Sequence, residues 1–149
     1  LVKTVKFKNP TYLGDPINVV KIFNDKEVDE LVFLDITATV ERKGPPFKLL
    51  SEIASECFMP LAYGGGIRNL EDIRTILSVG VEKVAINSYA VENPNFIRAA
   101  ADLFGSQSIV VSIDVKKSLF GKYEVFTHRG TKKTGLDPVK FAVQMERLG

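Results

Sequence analysis

Residues 60–88 read PLAYGGGIRNLEDIRTILSVGVEKVAINS. The run Pro60–Tyr63 is apolar without alternation, as in a strand buried on both faces. Gly64-Gly65-Gly66 interrupts it. Asn69 then offers a side-chain acceptor for a helix N-terminus, and Glu71 and Asp72 place in the first turn the charge that the helix dipole favours. Ile73, Ile76 and Leu77 recur at helical spacing, Gly80 marks a stop, and Val84–Ile86 forms a second short apolar run. A strand, a covering helix and a second strand in this order predict a parallel pair.

The same grammar extends in both directions. Asp15-Pro16, Asn93-Pro94 and Asp137-Pro138 each put a side-chain acceptor at an N-cap and proline at the first helical position. Pro45-Pro46 opens a further helix, with Phe47, Leu50, Ile53 and Cys57 on its apolar face, and Phe96, Ala100 and Phe104 mark another that Gly105 stops. Leu31–Ile36 and Ile109–Val115 supply two more apolar runs. Four strands alternating with five helices predict an α/β fold around a parallel sheet. No linker or low-complexity tract divides residues 1–149, so one domain is expected. Lys122–Arg129 (KYEVFTHR) alternates like an exposed strand after a Phe120-Gly121 turn, and reads as a hairpin behind the last parallel strand.

Composition narrows the function. The 149 residues are 45% hydrophobic and 26% charged, ordinary for a globular protein. No apolar run approaches the ~20 residues of a membrane-spanning helix, and no secretory leader pattern is present. Twenty basic against 18 acidic residues leave a net charge of +2, too little to argue for nucleic acid. Cys57, the single cysteine, can form no internal disulfide and reads as a buried thiol in a reducing, cytoplasmic setting. With one histidine, His128, and one cysteine, no metal site of the usual kind is expected. Neither a G-x-S-x-G elbow nor a Walker loop occurs. The chain begins at Leu1 without an initiator methionine and stops at Leu148-Gly149, so both ends read as cuts through a longer pattern.

In stacked strand–helix units, chemistry collects at the carboxyl ends of the strands. Here those ends read Leu34-Asp35, Gly64-Gly65-Gly66, Ile86-Asn87-Ser88 and Ile113-Asp114. Asp35 and Asp114 close the similar strings LVFLDI and VVSIDV, a hint of an internal repeat. A carboxylate so placed is desolvated on one side and suits general acid–base work, or it simply anchors a loop or caps a helix. The three glycines let backbone amides approach an anion, to which Asn87 and Ser88 could add donors, or they only make a turn. Lys3, Lys6 and Lys8 alternate with Val5 and Phe7 and read mainly as a solvated face. His128, in the hairpin, reads as exposed rather than catalytic.

The strings VDELVFLDITATVE, PLAYGGGIRNLEDI, VEKVAINSYAVENP, FGSQSIVVSIDVKK and YEVFTHRGTKKTG closely resemble the cyclase subunit of imidazole glycerol phosphate synthase. The likeness covers essentially the whole chain in register. It implies a (β/α)₈ barrel, of which residues 1–149 hold strands two to five and helices one to five. It implies an enzyme that takes ammonia from a glutaminase partner and acts on a bis-phosphorylated phosphoribulosyl-formimino ribotide. The products would be imidazole glycerol phosphate and aminoimidazole carboxamide ribotide, with no cofactor and no metal.

By position, the resemblance makes Asp114 one of two catalytic aspartates, the other lying on strand one, upstream of Leu1. It assigns Lys3 to a loop that reaches the substrate, Asp35 to the mouth of the site, and Gly65, Gly66, Asn87 and Ser88 to a phosphate site. Glu30 and Lys83 become members of a charged gate for ammonia. The N-terminal wording VKTVKFKNPTYLGDP departs from the histidine-pathway pattern. It is closer to a paralogous branch that builds an acetamidino group on a surface-polysaccharide sugar. A partial barrel also exposes two sheet edges, which invites self-association of a chain that is inactive alone.

Overall fold

The computed structural model describes residues 1–5, 8–117 and 121–149. Lys6, Phe7 and Phe120, named above, lie outside the described residues, as does the side chain of Lys8. An N-terminal hairpin, β1 (Val2–Val5) and β2 (Lys8–Tyr12), precedes α1 (Pro16–Asp25). There follow β3 (Leu31–Leu34), a short α2 (Ala38–Glu41), α3 (Phe47–Glu56), β4 (Leu61–Gly64) and α4 (Leu70–Ser78). Then come β5 (Lys83–Ile86), a short α5 (Ser88–Glu92), α6 (Asn95–Phe104) and β6 (Ile109–Val111). A second antiparallel group, β7 (Asp114–Lys117), β8 (Tyr123–Thr127) and β9 (Lys132–Lys133), leads into α7 (Pro138–Leu148).

β3, β4, β5 and β6 form one parallel sheet in sequential order. Sequential order with a helix after each strand is the winding of a (β/α)₈ barrel; a doubly wound sheet would reverse its order partway. Four strands do not close a barrel. The chain therefore makes a partial one, with α1, α3, α4, α6 and α7 touching in succession along the outside.

The helix starts follow their local chemistry. Asp15 accepts from the amides of Ile17 and Asn18, Asn69 from Asp72 and Asp137 from Lys140. Asn93 differs from its expected role: its amide closes α5 on the Tyr89 carbonyl at 2.8 Å, and α6 starts at Asn95 without a side-chain cap. A second short helix directly upstream has claimed the residue.

Register divides each strand between two environments. Leu31, Phe33, Leu61, Tyr63, Val84 and Ile86 face the helices, where Leu50, Ile53, Ile73, Ile76 and Ile97 complete a buried core. The opposite face carries Val32, Leu34, Ala62, Gly64, Lys83, Ala85 and Val110. Burial on both faces holds for β4 only, because Val32 and Leu34 at the edge are 53% and 54% exposed. This face is the barrel interior, and it is covered only when strands stand opposite.

Three further expectations are corrected. The run Ile109–Val115 is not one strand: the parallel ladder ends at Val111, and Asp114 opens β7, paired antiparallel with β8. An apolar run does not show where a chain changes partner. KYEVFTHR is not an exposed strand either, since Glu124, Val125 and Thr127 are buried beneath residues 134–136 and α7. Cys57 is only half-buried, its thiol donating to the Met59 carbonyl at 3.3 Å. Among the described residues no helix is long and apolar enough to cross a membrane.

Candidate active site

A pocket opens at the carboxyl end of the parallel sheet. It is lined by the β3 end at Asp35, the glycine turn after β4, Asn87 and Ser88 after β5, and Ser112 and Asp114 after β6. The strand ends that the sequence singled out are thus brought to one place, as parallel winding requires.

The glycine turn is dictated by close approach. Gly65 and Gly66 have φ of 136° and 71°, where side chains are strained. A Cβ at Gly65 would meet the Asp35 carbonyl oxygen at 2.6 Å, and one at Gly66 would collide with the Lys43 carbonyl. The Tyr63 hydroxyl donates to the Gly65 carbonyl at 3.0 Å from a ring that is wholly buried. That burial, with the nearby charges of Asp35 and Asp72, pushes the phenol well above its ordinary pKa and keeps it a donor.

Asp35 anchors its own loop. Its Oδ1 accepts from the Thr37 amide at 2.8 Å, the Thr37 hydroxyl at 3.0 Å and the Ala38 amide at 3.0 Å. Of the two roles open to it in the sequence, the local hydrogen bonds support the structural one, at the rim of the pocket.

Asp114 sits differently. It is half-buried, and desolvation raises its pKa above the ordinary carboxylate value, while the Asn87 side chain and the Lys116 charge act the other way. Asn87 also donates through Nδ2 to the Ser112 carbonyl at 3.0 Å. Ser88, buried at the start of α5, donates to Asn87 Oδ1 at 3.1 Å and accepts from the His128 amide at 3.0 Å. Hydrogen bonds therefore run from the end of β8 through Ser88 and Asn87 to the Ser112 carbonyl, two residues before Asp114. The network fixes the backbone that leads into Asp114, and burial shifts its carboxyl group towards the protonated form.

The remaining candidates lie elsewhere. Lys3 is on the exposed N-terminal hairpin and does not line the pocket. Glu30 and Lys83 stand at the amino end of the sheet, joined at 2.7 Å across 53 residues. His128 is half-buried, its ring 3.6 Å from Glu92 and outside the pocket lining. The sequence reading passed over Arg68 and Arg129, which do line it. Arg129 carries no helical or strand-end signal, because it arrives on the turn after an antiparallel strand. Among the described residues, no three His, Cys, Asp or Glu side chains gather as metal ligands would.

Known proteins are similar to this sequence. A Leptospira interrogans protein provisionally named imidazole glycerol phosphate synthase subunit HisF is 57% identical over 139 residues, covering 93% of this chain and 55% of its own. A Pseudomonas aeruginosa protein provisionally named subunit hisF2 of the same synthase is 52% identical over 149 residues, covering 100% of this chain and 59% of its own. A Vibrio vulnificus protein provisionally named subunit hisF3 of that synthase is 53% identical over 150 residues, covering 100% of this chain and 58% of its own. The chain spans little more than half the length of these relatives, 55–59%. The family described as histidine biosynthesis protein matches over residues 1–149. With its full length matched and its strand–helix units laid out in barrel order, the chain belongs to the histidine biosynthesis protein family.

Proposed function

We propose that the protein bearing this chain is the ammonia-using cyclase subunit of an imidazole glycerol phosphate synthase. The observation that carries the reading is Asp114: a desolvated carboxyl group in a pocket whose other wall is the glycine turn. In this reading the backbone of Gly65 and Gly66, with Asn87 and Ser88, receives one phosphate of the formimino ribotide. Asp114 moves protons as ammonia adds to the keto carbon, the ring closes and the ribotide leaves. A second carboxylate, from strand one of the barrel, lies outside residues 1–149. Asp35 shapes the mouth, and Lys3 belongs to a loop that reaches towards the substrate. Glu30 and Lys83 gate ammonia delivered at the amino end by a cytoplasmic glutaminase.

A second reading keeps the amidotransferase chemistry but moves it to a surface-polysaccharide sugar, on which an acetamidino group is built. The wording of residues 2–16 favours it.

The test is to express the whole reading frame that contains this chain and supply ammonium and the formimino ribotide. Formation of imidazole glycerol phosphate supports the first reading. A folded protein without turnover sinks it and favours the sugar. With a glutaminase present, Glu30→Gln or Lys83→Met should lower glutamine-driven turnover and spare ammonium-driven turnover. Because the pair is partly exposed, either change should alter stability by less than about 1 kcal/mol in urea unfolding.

A further inference from the structure

We infer that Arg129 is a substrate-binding residue of this pocket that grips a phosphoryl group, and that the turn at 128–130 is built to present it. The inference rests on the reading of the pocket as a phosphate site.

The backbone of the turn supports it. His128, Arg129 and Gly130 have φ of 53°, 59° and 68°, three successive left-handed residues of which only one is glycine. L-residues seldom take this conformation singly and less often in succession, and such outliers persist only where the surroundings enforce them. Here the enforcement is visible on every side. The His128 amide donates to Ser88 Oγ at 3.0 Å, and Lys116 Nζ donates to the Gly130 carbonyl. The Thr131 hydroxyl donates to the His128 carbonyl at 2.6 Å, and the Thr131 amide to the Thr127 carbonyl at 3.1 Å.

The strained turn also sorts its two side chains. The His128 ring goes to Glu92, 3.6 Å away, whereas Arg129 lines the pocket with the glycine turn, Asn87 and Asp114. A half-buried arginine that lines a pocket with the glycine turn matches phosphoryl oxygens better than it matches any neutral group, because a planar guanidinium fork donates two parallel hydrogen bonds. Ser88 then acts as a positioning residue, binding the turn to the sheet through the same hydroxyl that holds Asn87.

Inorganic phosphate is the probe, titrated into the full chain and into Arg129→Gln and Arg129→Lys and followed by calorimetry. Circular dichroism and urea unfolding check that each variant is folded. Loss of one charge-assisted contact should weaken phosphate binding about tenfold to a hundredfold in the glutamine variant, with partial recovery in the lysine variant. Wild-type affinity in a folded Arg129→Gln protein, beside loss of binding in Asn87→Ala, overturns the role of Arg129 and leaves the phosphate site standing. No phosphate binding by the wild-type chain overturns both. Arg129-dependent binding in a protein that does not cyclise the formimino ribotide keeps the inference and removes the histidine-pathway substrate.

Discussion

Asp114→Asn should lower ammonium-driven turnover at least about a hundredfold, the lower end of what a positioned general acid or base contributes. Asparagine keeps the shape and removes the ionisation. Stability should move the other way. The folded-state pKa of Asp114 lies above its unfolded value, so over the interval between them the folded protein holds the extra proton. The protein is therefore favoured at pH below the unfolded value, and that advantage is lost as pH rises through the folded pKa. At neutral pH the desolvated charge is a net cost, which Asp114→Asn removes. Urea unfolding at acid and neutral pH should show the variant gaining on the wild type as pH rises. The acid limb of the rate profile should lie above the ordinary aspartate value. Asn87→Ala should move it higher still, because the Asn87 bond holds the pKa down. A rate unchanged in Asp114→Asn would remove this residue from the chemistry.

Gly65→Ala should destabilise the fold by about 2–5 kcal/mol, combining a backbone angle almost reserved for glycine with a steric clash. The added Cβ meets the Asp35 carbonyl oxygen at 2.6 Å and the Asp35 Cβ at 2.8 Å, so relief requires the β3–α2 loop to move. That loop is fixed by the Asp35 amide, which donates to the Gly64 carbonyl at 2.8 Å, and by the three bonds on Asp35 Oδ1. Gly44→Ala is the control: nothing lies within 4 Å of its Cβ, and its stability should change by less than about 1 kcal/mol. Denaturant midpoints of the two variants decide the point. If Gly65→Ala matched the wild type, the close packing of the two strand ends would be refuted.

The glycine cluster shows how one string of residues can serve two readings. In the sequence, three glycines mean either an anion cradle or a turn. The structure gives the turn its reason, since a side chain at Gly65 or Gly66 would strike the backbone of a neighbouring loop. The same close approach puts backbone rather than side chains at the pocket wall, which is what an anion site needs. Packing and binding therefore ask for the same residue type, and phosphate titration separates them.

What was legible in the chain alone was what short-range geometry controls. Asp15, Asn69 and Asp137 cap helices through amides two or three residues away, so a few residues of sequence reveal them. Apolar spacing likewise gave the alternation of strands and helices, and the quoted strings carried the family. The misreadings share a cause: each depends on a neighbour distant in sequence. Val32 and Leu34 look buried as a string but are about half exposed at the sheet edge, and Glu124 looks solvated but is covered by residues 134–136. Asp114 ends an apolar run, yet begins a strand paired with β8. The bonds that assemble the site cross long separations, 25 residues from Asn87 to Ser112 and 40 from His128 to Ser88. Register and strand order set those contacts, and a left-handed turn at residues 128–130 sets where Arg129 points, because which amide meets which hydroxyl follows from how the folded strands lie side by side.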